Sequence, residues 1–136
     1  MKILVACEES QAVTIELRRL GHEAYSNDIQ ECSGGHPEWH LKGDSVEVAY
    51  DKSYEWDMMI AHPPCTYLSV SGLHWNNKRP ERAKKTEQAL EFVQMLMDAP
   101  IDKIAIENPV SCISTRIRKP EQIVEPWMWG DLATKK

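Results

Sequence analysis

A cysteine stands directly after two prolines in the run Ala61-His62-Pro63-Pro64-Cys65-Thr66-Tyr67-Leu68-Ser69-Val70-Ser71-Gly72. The apolar residues Met58-Met59-Ile60 precede it and read as a buried strand. Prolines fix φ and remove backbone donors, so a sheet cannot run on through them. The Cys65 thiol is therefore expected at the rim of a sheet, where ligands bind in open α/β folds. A thiol placed there suits nucleophilic attack, although a lone cysteine is more often a small buried hydrophobe. Glu107-Asn108-Pro109 follows another apolar run and offers a carboxyl group for proton transfer. Cys7-Glu8-Glu9 and Asn27-Asp28 also stand directly after apolar runs. In a doubly wound sheet, such positions share one edge and converge on one cleft.

The elements that must position these groups alternate between strand and helix. Lys2 to Ala6 predicts the first strand. Residues 11–20 carry Val13, Leu17 and Leu20 on one helical face, with Ser10 as N-cap and Gly21 as terminator. Residues 22–26 read as a second strand, and the β-α-β order implies a right-handed crossover with parallel pairing. Residues 29–43 read as a loop, 46–50 as a short element of unassigned type, and 56–61 as the next strand. Pro80 suits the first turn of a long helix reaching about Met97, with Ala89, Leu90, Val93, Leu96 and Met97 on its apolar face. Residues 103–106 read as a further strand. The expected fold class is α/β, a parallel sheet of about five strands flanked by helices, in one domain over residues 1–136.

A chain of 136 residues, 42% hydrophobic, can bury a core. No apolar run approaches the ~20 residues needed to span a bilayer, so no membrane partner is expected. The start MKILVACEES reads as a strand rather than a signal peptide, which predicts a cytoplasmic protein with its four cysteines reduced. The net charge of −5 is uneven: residues 1–60 carry 5 basic and 12 acidic side chains, and residues 61–136 carry 11 and 9. An acidic chain is not built for strong nonspecific nucleic-acid binding. The cluster Lys78-Arg79-Pro80-Glu81-Arg82-Ala83-Lys84-Lys85 could meet phosphates, or it is a solvated helix start.

Taken together, the motifs resemble the catalytic half of a DNA cytosine-5 methyltransferase. That family has a Pro-Cys nucleophile followed by Gln-x-Phe-Ser-x-x-Gly; here Pro64-Cys65-Thr66-Tyr67-Leu68-Ser69-Val70-Ser71-Gly72 stands in its place. Its Glu-Asn-Val motif matches Glu107-Asn108-Pro109, its ribose-binding acid matches Asp28, and its Gly-Asp pair beside the adenine matches Gly43-Asp44. The four motifs keep the family order over residues 3–110. The chain is similar to the short phage- and prophage-type proteins of this kind, which implies a phage or bacterial host cytoplasm. Where the family's first loop is glycine-rich, this chain has Cys7-Glu8-Glu9-Ser10, and Thr66 replaces the Gln after the cysteine.

The resemblance implies a Rossmann-like, methyltransferase-type sheet without a target-recognition domain, and S-adenosylmethionine as cofactor. It implies Cys65, Glu107 and Asn108 as the catalytic group. The cofactor would be bound by Cys7, Glu8, Asp28, Asp44, Pro63 and Pro64. DNA or a cytosine nucleotide would be held by Ser69, Trp75, Lys78, Arg79 and Arg82. Cytosine C5 is a poor nucleophile, and thiolate addition at C6 makes it enamine-like. A base inside a duplex must first be flipped or single-stranded. The chain stops where the family begins its sixth and seventh strands. Two further readings therefore stand beside an autonomous enzyme: a binding module of the same fold without turnover, and half of a split enzyme completed by a second chain or a second copy. Cys32-x3-His36-x3-His40 offers metal-ligand types, but Gly34, Gly35 and Pro37 interrupt it, so loop imidazoles packed by Trp39 are expected and no metal is assigned.

Overall fold

A computed structural model describes residues 1–66, 68, 79–108 and 113–122. The apolar runs become strands. β1 (Lys2–Ala6), β2 (Glu23–Asp28), β3 (His40–Lys42), β4 (Met58–Ala61) and β5 (Lys103–Ile106) form one sheet in the order β3-β2-β1-β4-β5. Every neighbouring pair is parallel. This is an α/β Rossmann-like architecture, and its strand order reverses between β1 and β4.

Period-two alternation sends the side chains of β1 to two separate cores. Ile3 and Val5 pack with Ala24, and with Val13 and Leu17 of helix α1 (Ala12–Arg19). Leu4 and Ala6 face the other way, into a cluster with Ala49, Trp56, Met59, Ala61, Leu96 and Ile101. A strand buried on both faces must be apolar throughout, which is why KILVA has no polar position after Lys2.

Several local features differ from the sequence expectation. Ser10 is not the N-cap of α1. Gln11 holds that position in the left-handed region (φ 61°). The donor at the helix start is met by Glu8, whose Oε1 accepts from Thr14 N–H at 3.1 Å. The longer glutamate side chain reaches back to the third helical N–H, as capping carboxylates do. Leu20 lies past the helix and is 72% exposed, not on the buried face. Gly21 does terminate α1 (φ 93°), with its own N–H bonded to Arg18 O and that of His22 bonded to Leu17 O. β2 runs on to Asp28. The stretch 29–43 is not wholly loop. It holds a 3-10 turn at Pro37–Trp39 and the edge strand β3, too short and polar to show a period. The unassigned element is helix α2 (Ser45–Tyr50), capped by Asp44, which accepts from Val46 N–H at 2.8 Å. The strand expected from residue 56 begins at Met58, because Trp56 is drawn into the core with its Nε1–H donated to Val48 O.

The chain divides into two compact units. The first, Met1–Pro63 with Phe92–Glu107, carries the whole sheet. The second comprises Pro64–Glu91 and the residues from Asn108 onward. Helix α3 (Pro80–Met97) has the expected bounds and buries Leu90, Val93 and Leu96. Within the second unit, Arg116 of the short helix α4 (Ile113–Arg116) makes a bidentate pair with Glu87 at 2.6 and 2.8 Å.

Candidate functional site at the carboxyl edge of the sheet

Parallel pairing brings the carboxyl ends of all five strands to one edge. The ladder continues one step past the strands and fixes the residues just beyond them. His62 N–H donates to Ala6 O at 3.1 Å, Glu107 N–H to Ala61 O at 3.0 Å, and Glu8 N–H to Asn27 O at 2.8 Å. The first unit thus gathers Cys7, Glu8, Asp28, His62 and Glu107 at the point where strand order reverses.

The loop after β1 is held rigidly although it lacks glycine. Cys7 takes a left-handed conformation (φ 60°), which a glycine would adopt without steric cost. Gln11 is fully buried. Its Nε2 donates to Ser26 Oγ and His36 O, and its Oε1 accepts from His36 N–H. Ser33 N–H donates to Glu9 O at 2.8 Å. Gly34 lies so close that a Cβ there would meet Ser10 O at 2.5 Å.

Two polar clusters result. In the first, Cys7 Sγ lies 3.4 Å from Ser45 Oγ, and Ser45 donates to Asn27 Oδ1. Asn27 Nδ2 in turn donates to Leu41 O and Gly43 O. Burial pushes the Cys7 thiol above its ordinary value. The Ser45 hydroxyl opposes that shift, and the nearby charges of Asp28 and Asp44 add to it. Asp28 and Asp44 are thus brought to the same end of the sheet, as the sequence suggests. Both are also used locally: Asp28 Oδ1 accepts from Gln30 N–H, and Asp44 caps α2.

The second cluster is a line of three ionisable groups. Glu8 is only 5% exposed. Its Oε2 lies 3.9 Å from His62 Nε2, and His62 Nδ1 lies 3.6 Å from Glu107 Oε2. Among the described residues, neither Glu8 Oε2 nor His62 Nε2 has a hydrogen-bond partner. The sequence places His62 with the other residues that follow strands but assigns it no individual role. The one available signal was its position directly after β4, level with the residues that succeed β1 and β5.

Of the other expected site residues, Pro63 is buried in the first unit, whereas Pro64 is exposed and Cys65 half-buried in the second. Leu68 N–H donates to Cys65 O at 3.0 Å, and Arg82 donates to Thr66 O at 2.8 Å. Arg79 is exposed and Asn108 half-buried, both in the second unit. Ser69, Trp75 and Lys78 lie outside the described residues. In the histidine-rich loop, His36 stacks on Trp39 (centroids 4.0 Å apart, planes at 14°). His40 uses both ring nitrogens, on Ser26 Oγ at 2.8 Å and Gln30 O at 2.9 Å. Among the described residues, no three His, Cys, Asp or Glu side chains gather as a metal site.

Fold and site together define a Rossmann-like α/β protein with carboxylates and an imidazole at its topological switch point. No protein-family model matches the chain, and no curated protein matches it.

Proposed function

We propose that this chain is a DNA cytosine-5 methyltransferase-like protein that uses S-adenosylmethionine. The observation that carries the reading is the Glu8 carboxylate at the start of α1. In dinucleotide-binding folds that helix start receives a pyrophosphate. Here a buried carboxylate already occupies it, so a second anion would meet like charge. A cationic ligand group is favoured instead, and Glu8 Oε2 has no hydrogen-bond partner among the described residues. A nucleoside cofactor carrying a sulfonium and an ammonium fits that charge pattern, whereas a dinucleotide or a nucleoside triphosphate does not.

The residues that would hold the cofactor are Glu8 and Cys7 after β1, Asp28 after β2, and Asp44 at the start of α2, with Pro63 and Pro64 beyond β4. Asp28 accepts from ribose hydroxyls, and Asp44 accepts from the adenine amine. When bound, S-adenosylmethionine supplies a methyl group on a positively charged sulfur. Cys65 Sγ adds to C6 of an unstacked cytosine. Glu107 donates a proton at N3, which drains the charge developing on the ring. Asn108 borders the base. Arg79 and Arg82, with Lys78, meet the phosphates, while Ser69 and Trp75 contact the displaced strand.

The assay is transfer of labelled methyl from S-adenosylmethionine to cytosine-containing single-stranded DNA. The reading predicts incorporation that Cys65→Ala abolishes. Incorporation unaffected by that substitution would contradict the assignment of the nucleophile. The glycine-free loop after β1 favours a second reading, a binding module of the same fold without turnover. That reading predicts cofactor or nucleotide binding that survives Cys65→Ala, with no methyl transfer in either protein.

A further inference from the structure

His62 is flanked on both ring nitrogens by carboxylates, Glu8 from the loop after β1 and Glu107 from the end of β5. A neutral imidazole carries a single N–H. With one N–H, one of the two contacts must set a ring lone pair against a carboxylate oxygen. With both nitrogens protonated, both contacts become attractive. Glu8 has the greater need, because it is 5% exposed and its Oε2 has no hydrogen-bond donor among the described residues. A buried carboxylate without a compensating charge is costly. Glu107 is the more exposed partner, with 52% of its side chain accessible, and is therefore the end of the line that a ligand can reach.

We propose that His62 is a positioning residue: doubly protonated, it bridges Glu8 and Glu107 and holds the proton that Glu107 uses. The proposal rests on the reading of Glu107 as the acid of the site. The transfer balances within the line. The half-exposed Glu107 side chain closes the 3.6 Å gap to hydrogen-bond distance; the His62 Nδ1–H bond then breaks and a Glu107 Oε2–H bond forms. The ring becomes a neutral imidazole whose Nε2–H still points at Glu8, and the charge of Glu8 does not change. When a bound base returns its proton to Glu107, the reverse transfer restores the imidazolium. On Glu107, Glu8 acts only through His62, as carboxylates that orient an imidazole do elsewhere.

The test is long-range proton–nitrogen NMR of the His62 ring in the full chain, labelled with nitrogen-15, at neutral pH and without ligand. The expected result is a hydrogen on both ring nitrogens in the parent protein. Glu107→Gln and Glu8→Gln should each convert the ring to a neutral form with one bare nitrogen. Glu8→Gln keeps the oxygen that accepts from Thr14 N–H, and Glu107→Gln alters a half-exposed side chain, so both variants retain the fold; their backbone amide spectra check this. A neutral His62 ring in the parent protein would overturn the proposal, as would a ring signal indifferent to both substitutions. A doubly protonated ring supports it whether or not methyl transfer is found, because neither cofactor nor DNA is present.

Discussion

At the scale of single residues, Cys7 shows how the site sets its own chemistry. Burial, with the charges of Asp28 and Asp44 added to it, holds its thiol protonated against the pull of Ser45. The folded protein therefore keeps this proton to higher pH than the unfolded chain does. The associated stability is complete below the ordinary thiol range and is lost as pH rises through it and toward the raised folded value. Alkylation of the native protein, tracked site by site by mass spectrometry, should modify Cys7 more slowly than an unfolded-chain thiol. Equal rates would contradict the buried, acid-flanked environment. Cys7, Glu8, Asp28 and Glu107 were legible in the sequence as polar residues ending apolar runs. His62 ends an apolar run in the same way, but its place between Glu8 and Glu107 was not legible, because it depends on register across β1, β4 and β5, which no local pattern encodes. Gln11 was hidden for a similar reason: its partners Ser26 and His36 are distant in sequence.

At the scale of elements, the loop after β1 is the piece on which the site depends. It has no glycine of its own, and its shape is imposed by the segment 33–36 lying against it. Gly34 permits that contact, since a Cβ would come within 2.5 Å of Ser10 O and 2.6 Å of Gln11 Cβ. Gly34→Ala should therefore cost about 1–3 kcal/mol, the usual penalty for overpacking. It should also disturb the Glu8 contact with Thr14, measurable as a lower denaturation midpoint and a shifted Thr14 amide signal. An unchanged midpoint would show that the loop shape does not depend on this approach. The long helix α3 was legible end to end, because Pro80 marks its start and Leu90, Val93 and Leu96 recur at helical spacing in its second half. Helix α2 and strand β3 were not. The first is a six-residue helix set by the Asp44 cap, and the second is an edge pairing of three residues that only β2 specifies.

At the scale of the whole molecule, the five-stranded parallel order puts every strand's carboxyl end on one edge and the reversal point between β1 and β4. The sequence carried this much because a strand buried on both faces must be apolar, as β1 is after Lys2, and because the half-buried and buried positions of β4 are apolar too. Strand order itself was only implied, through the β-α-β connection. Met59 sits at the centre of the larger core and is fully buried. Met59→Ala should destabilise by about 2–5 kcal/mol in denaturant titration. A cost below about 1 kcal/mol, by the same measure, would mean that the core is not packed around β4 as described. The ligand accepted at this sheet edge is best tested by calorimetric titration of the full chain with S-adenosylmethionine and its demethylated product. Micromolar binding that Asp28→Ala abolishes is the expected result. No heat of binding at millimolar cofactor would contradict it.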